Sequence, residues 1–304
     1  MKPPSILCVG AATFDTVFKV PAIPTTPTKV LPTACVQLAG GMAASGGVAI
    51  VRLGGQVEYW ARVGDDDTGR HTLEDLARAG LDLTRVRRVP GGRSTLCTIL
   101  VDDAGGRLVV PFYDPNLDPD PGWLPVTEVG RFDALLVDTR WPAGAARVLA
   151  AAQAAGRIAV LDADIAPAGV LEQLAPLASH VVFSEPALHA FAGQSDVDAA
   201  LHAAGARLPG LVGVTLGALG FCWLEKGRIS SVPAPKVEVV DTLSAGDVFH
   251  GAFTLALAEG QDLASAGRFA CAAAALKCTR FGGRAGAPTR KEVEALLSSE
   301  SGER

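Results

Sequence analysis

Residues 241–253 read DTLSAGDVFHGAF, a run of small residues that closes on an acid, Asp247, where an apolar helix begins. The first turn of a helix exposes unpaired N–H groups and the positive end of the macrodipole, so the junction can hold an anion against the backbone. Ser244, Ala245 and Gly246 leave room for one. A carboxylate there has two uses: it can cap the turn, or it can act as a base beside a bound phosphate. The stretch alone leaves both open. His250 lies three residues further on, about one helical turn away, and reads as a residue packed beside the cleft.

Two other glycine-rich segments bear on the same chemistry. In AGGMAASGGVAIVRLGG (39–55), Gly40 and Gly41 remove side chains where the backbone must turn or approach something closely. The spacing is neither that of a Walker loop nor that of the dinucleotide fingerprint. In VTLGALG (214–220) a strand runs into a Gly-rich turn, so Thr215 and Gly217 could line a phosphate channel beyond the strand's C-terminal end. A simple hairpin turn accounts for that segment equally well.

Such groups need a frame. The 304-residue chain is 49% hydrophobic and 19% charged, with 34 glycines and a net charge of −5. That argues against disorder and against a general nucleic-acid surface, and leaves a small molecule as the expected partner. Cys8, Cys35, Cys97, Cys222, Cys271 and Cys278 form no CxxC pair and read as reduced core residues. The N-terminus enters a strand pattern directly and no apolar run approaches the ~20 residues of a membrane span, so a cytoplasmic protein is expected.

Short continuous apolar runs at 6–10, 57–64, 134–138, 158–164, 180–185 and 211–217 alternate with helical patterns at 43–53, 67–79, 144–155 and 196–207. Unbroken hydrophobicity marks strands buried on both faces, which predicts an α/β fold with a mostly parallel sheet flanked by helices. Helices at 246–259, 263–279 and 289–299 close the unit, and FCWLEKGRISSVPAP reads as a hairpin. Segments 12–38 and 93–118 are β-prone and break the rhythm; they predict a small β-sheet lid over a cleft, on a single unit spanning 1–304.

Together these pieces resemble the PfkB (ribokinase-like) family of carbohydrate kinases over essentially the whole chain. The family's C-terminal signature, D-T-x-G-A-G-D, is matched by DTLSAGD except at Ser244, and its N-terminal Gly-Gly signature by Gly40 and Gly41 before LGG. The resemblance implies ATP-dependent phosphorylation of a sugar hydroxyl. Asp247 would be the base, with the N–H groups of Ala245, Gly246 and Asp247 as an anion hole and Ser244 at its turn. Asp15, in AATFDTV, would bind sugar hydroxyls beside Gly40, Gly41 and Ser45. Thr215, Gly217, Gly220 and Ser184 would border the nucleotide, with Gly282 near the adenine. Where the family has N-x-x-E, this chain has SEPA (184–187), so magnesium would be held by ATP oxygens and water, with Glu185 as an outer-shell partner. The pattern also leaves room for a monovalent cation, and for a homodimer formed through the lid's open edges.

Within the family the sequence is similar to bacterial sulfofructose kinases, in RVGDDDTG (62–69), VDTRW (137–141), VLDADI (160–165) and LKCTRFGGRAGAP (276–288). This implies 6-deoxy-6-sulfofructose as acceptor and its 1-phosphate as product. Arg140 and Lys29 match cationic positions suited to a sulfonate, whereas a third polar position is Pro111, which offers no donor. Read from the residues alone, Arg140 and Lys29 could equally be surface charges. A neutral or phosphorylated ketose or pentose is the alternative acceptor, and a non-catalytic binding protein the alternative class.

Overall fold

The computed structural model describes residues 2–117 and 119–302; Asp118, the last residue of the expected segment 93–118, lies outside them, as do Met1, Glu303 and Arg304. Strand β1 (Ser5–Val9) shows why the central sheet forms: Ile6 and Cys8 point into one apolar cluster, Leu7 and Val9 into another, and all four are fully buried. Period-2 alternation with both faces covered is the condition for an internal parallel strand.

In chain order the strands are β1, β2 (Thr13–Lys19), β3 (Ala34–Gly40), β4 (Gln56–Trp60), β5 (Arg62–Gly64), β6 (Arg87–Val89), β7 (Thr95–Val101), β8 (Arg107–Phe112), β9 (Ala134–Asp138), β10 (Ile158–Ala163), β11 (His180–Ser184), β12 (Leu211–Thr215), β13 (Phe221–Glu225) and β14 (Arg228–Val232). The main sheet has the order β14-β13-β12-β11-β10-β9-β1-β4. From β12 to β4 it is parallel; β13 and β14 add an antiparallel edge. The hairpin read from FCWLEKGRISSVPAP is therefore an extension of the main sheet.

The principal helices are α1 (Met42–Arg52), α2 (Asp67–Arg78), α3 (Pro142–Ala154), α4 (Val170–Leu174), α5 (Glu185–Ala192), α6 (Val197–Gly205), α7 (Ala245–Ala258), α8 (Leu263–Cys278) and α9 (Arg290–Gly302). Residues of α1, α7 and α8 fill the cluster that holds Ile6 and Cys8, and those of α3 to α6 the cluster that holds Leu7 and Val9. Helices α1 and α7 approach backbone to backbone: a Cβ on Gly251 would lie 2.3 Å from the carbonyl oxygen of Gly46, so only glycine fits. That contact packs the middle of α1 against the middle of α7.

A separate four-stranded sheet, β3-β2-β7-β8, stands beside the main one, with β2 and β7 parallel and both outer pairs antiparallel. The apolar run 57–64 does not continue as one strand. It breaks at Ala61, and β5 pairs with β6 in a two-stranded sheet of its own. Of the six free cysteines, Cys35 is exposed on β3, contrary to the core position expected for it. No helix among the described residues is long and apolar enough to cross a membrane.

Candidate active site

The junction before α7 is built on a left-handed residue. Ser244 has φ 61° and ψ 13°, a conformation glycine adopts without cost and L-residues rarely use. It turns the chain so that Ala245 begins the helix. The Ala245 N–H donates back to the carbonyl of Thr242 at 3.2 Å, leaving Gly246 and Asp247, as second and third helical residues, with N–H groups that have no intrahelical acceptor.

The loop is held from below by Asp241, which is fully buried. Its Oδ1 accepts from the N–H of Leu243 at 2.7 Å, and its Oδ2 from the N–H groups of Gly282 and Gly283 at 2.9 and 3.1 Å. Gly282 thus meets the loop through backbone rather than side chain. Lys277, also fully buried, donates from Nζ to the Asp241 carbonyl at 2.6 Å and lies 3.4 Å from Oδ2. These oxygens are already shared among an ammonium and three N–H groups, which leaves no room for a monovalent cation beside Asp241.

Around Asp247 the charge is dense. Burial, then the nearby carboxylate of Asp162, pushes its acid up to about 7, while the Ser244 hydroxyl, His250 and Arg107 oppose the rise. Asp162 sits at the end of β10 and is itself raised, by burial and by Asp164 and Asp138. His250 is 2% exposed and so belongs to the packed interior. Both its ring nitrogens face oxygens: Nδ1 lies 2.7 Å from the Gly246 carbonyl and 3.4 Å from Asp162 Oδ2, and Nε2 lies 3.1 Å from the Val182 carbonyl. It therefore links α7 to β10 and to the middle of β11.

Asp15 lies on β2 of the small sheet. Thr13 Oγ1 donates to its Oδ1 at 2.6 Å, and burial raises its acid to about 6 against the pull of Thr13 and Arg284. Gly40 lies against it: a Cβ there would fall 2.0 Å from Asp15 Oδ2. Gly41 has φ 106°, and a Cβ would be 1.9 Å from the Ala11 carbonyl oxygen. Both glycines thus meet the requirement for close backbone approach. Ser45 is buried in α1, one residue before Gly46. Arg284 donates to the Ala39 carbonyl and the Asp75 carboxylate.

At the end of β9, the buried carboxylate of Asp138 accepts from the N–H groups of Ala43 at 3.0 Å and Arg140 at 2.8 Å, joining α1 to β9. The Arg140 guanidinium donates to the Ile165 carbonyl at 2.8 Å and pairs with Asp164 at 3.1 Å. Both terminal nitrogens of the guanidinium are thus engaged, Nη1 with the carbonyl and Nη2 with the carboxylate. Lys29 is exposed in the irregular segment between β2 and β3, and Pro111 lies opposite Cys97 on β8.

Ser184 and Thr215 are register partners at the ends of β11 and β12, and Ser184 Oγ donates to Asp164 at 2.9 Å. Residues 216–220 make the turn of the β12–β13 hairpin, so the segment is a hairpin turn that sits at strand C-termini. Within it Gly217 has φ 55° and Gly220 φ 101°. Glu185 opens α5 and lies 3.6 Å from His189. No group of three or more His, Cys, Asp or Glu side chains among the described residues could hold a metal by itself.

Asp138, Asp162, Arg284 and Lys277 were not singled out by the sequence reading. VLDADI carried the Asp162 signal, as an acid at the end of a buried strand.

The profile described as pfkB family carbohydrate kinase matches residues 3–290. Ribokinase of Bacillus subtilis is 30% identical over 295 residues, 97% of this chain and 99% of its own. A solved structure of a candidate ribokinase from Agrobacterium tumefaciens shares 46% identity and a TM-score of 0.95, with 99% of each chain covered. Arabidopsis thaliana ribokinase, complexed with ribose and ATP, superposes with a TM-score of 0.83 at 25% identity, covering 98% of this chain and 99% of that one.

Proposed function

This chain belongs to the pfkB family of carbohydrate kinases and is an ATP-dependent sugar kinase of the ribokinase-like type, and we propose that it phosphorylates a hydroxyl of a ketose or pentose held between Asp15 and Asp247. The observation that carries this reading is the placement of the Asp247 carboxylate in the first turn of α7, where the N–H groups of Gly246 and Asp247 lack intrahelical acceptors. Phosphoryl transfer needs an in-line acceptor, stabilised charge on the transferred oxygens and a home for the hydroxyl proton. With an acid near 7, Asp247 takes the proton, and the N–H groups face the phosphoryl oxygens. Asp15 orients the sugar, and the small sheet that carries it acts as the lid. Ser184, Thr215, Gly217, Gly220 and Gly282 border ATP, and magnesium comes with it, Glu185 binding its water shell. A second copy covers the open edge at β8, where Val110 and Phe112 are 57% and 42% exposed.

For the acceptor we propose 6-deoxy-6-sulfofructose, phosphorylated at C1, with the remaining N–H groups of Arg140 and the ammonium of Lys29 receiving the sulfonate. The pairing of Arg140 with Asp164 favours a second reading, a neutral acceptor such as ribose or fructose. Coupled ATP turnover over the sulfosugar, fructose, fructose 6-phosphate, ribose and tagatose 6-phosphate decides between them. Highest kcat/KM on the sulfosugar, lost in Arg140→Ala, supports the anionic pocket. A neutral sugar ahead, with Arg140→Ala near wild type, returns both cations to ordinary charges. Loss of turnover by roughly 10²- to 10⁴-fold in Asp247→Asn, with ATP still bound, is the expected signature of the base.

A further inference from the structure

Lys277 and Asp241 are both fully excluded from water. A buried ion pair is seldom a source of stability, because desolvation offsets its attraction, and apolar residues of similar volume often serve a core as well. This pair is also not placed at random. Asp241 begins the loop 241–247, and its carboxylate fixes that loop through Leu243 on one side and Gly282 and Gly283 on the other. Val240 and Asp241 in turn donate their N–H groups to the carbonyl of Cys278, next to Lys277. Lys277 lies within electrostatic reach of Asp247 as well; burial lowers its pKa, and the carboxylates of Asp241 and Asp247 resist that fall.

We infer that the Lys277 ammonium is a resident cation of the anion-binding loop: it neutralises Asp241, holds the turn in register and supplies positive field behind the first N–H groups of α7, in place of a monovalent metal ion. A preorganised charge in a dry site stabilises developing negative charge without reorganisation at the moment of reaction. Lys277 touches no reacting atom, so it is a positioning residue. The inference rests on reading residues 242–247 as the phosphate-binding element.

The test uses the full chain in buffers whose monovalent cation is potassium, sodium or tetramethylammonium, reading turnover, ATP affinity by calorimetry and Tm. Wild type is expected to differ by less than about twofold among them, while Lys277→Ala loses about 10²-fold in turnover and recovers at least about tenfold with potassium or ammonium but not with tetramethylammonium. Stimulation of wild type by potassium of about tenfold or more overturns the inference, and so does a Lys277→Ala loss that no cation restores. Should that variant fail to fold, Lys277→Met with Asp241→Asn removes both charges at once; it is expected to keep Tm and lose turnover, and wild-type turnover in it is equally fatal. The kinase reading fails separately, if wild type consumes no ATP with any sugar in potassium buffer. The cation dependence of its ATP affinity still reads the loop in that case.

Discussion

The guanidinium of Arg107, on β8 of the small sheet, donates to the carbonyl of Thr242 at 3.1 Å across 135 residues of sequence. The Thr242 hydroxyl returns the contact by donating to the Gly105 carbonyl at 2.9 Å. The turn between β7 and β8 is thus latched onto the loop that leads into α7.

A latch between the two sheets should govern how often the proposed cleft is assembled. Arg107→Ala removes the contacts of Nη1 with both the carbonyl and the hydroxyl of Thr242 at an exposed site, worth about 1 kcal/mol together, so kcat/KM should fall roughly fivefold. Because Arg107 also lowers the acid of Asp247, its loss should move that group upward. Steady-state kinetics at two pH values check this; unchanged kcat/KM at both would show that the latch has no part in turnover.

The raised acid of Asp247 sets a pH window. A base must be deprotonated, so kcat/KM should climb about tenfold per pH unit below about 7 and level off above it. The stability contribution has the opposite slope. Between 3.8, the ordinary value, and about 7 the folded chain keeps a proton that the unfolded chain releases, so this group's contribution declines as pH rises through that window. Asp247→Asn should flatten both dependences, and a pH-rate profile beside a Tm series measures them together. A wild-type rate that is flat from about pH 5.5 to 8.5 is incompatible with an Asp247 base of this kind.

Ser244 occupies a backbone conformation that suits glycine, while its hydroxyl supports Asp247. Ser244→Gly should therefore divide the two effects. Relief of the left-handed strain is expected to add about 0.5–1 kcal/mol, a rise in Tm of roughly 2 °C. Loss of the hydroxyl removes a bond to the ionised form, so the rising limb of the rate profile should shift to higher pH. Differential scanning calorimetry and the rate profile test each half, and a Tm below wild type would show that the hydroxyl outweighs the strain.

What the sequence made legible follows from how far each signal extends. Apolar runs such as 134–138 and 158–164 announce strands buried on both faces because every residue in them carries the message. Asp247 and the Gly40–Gly41 pair were legible because their residue types are needed locally, by a helix start and by close backbone approach. The meaning of Lys277 and Arg284 lies in partners 36 and 245 residues away, and nothing in KCTRFGGR states the distance. Asp162 was hidden for another reason: at a strand end an acid looks like a terminator until the fold sets it beside Asp247. The break at Ala61 was lost because the apolar pattern runs on through it while the pairing partner changes.

Gly40 offers the sharpest separation of sugar binding from nucleotide binding. A methyl group there would stand 2.0 Å from Asp15 Oδ2 and 2.8 Å from Thr13 Oγ1, so the carboxylate must swing away and surrender its bond from Thr13. Misplacing a positioning group by about 1 Å can cost up to 10²-fold, so Gly40→Ala should raise the sugar KM by about tenfold or more. Ser184 and Thr215, proposed to border ATP, end β11 and β12 of the main sheet, so the KM for ATP should be kept. Measuring both constants in one variant decides the matter: an ATP KM that rises in parallel would mean that Gly40 supports the whole cleft, whereas a change confined to the sugar assigns Asp15 to the acceptor.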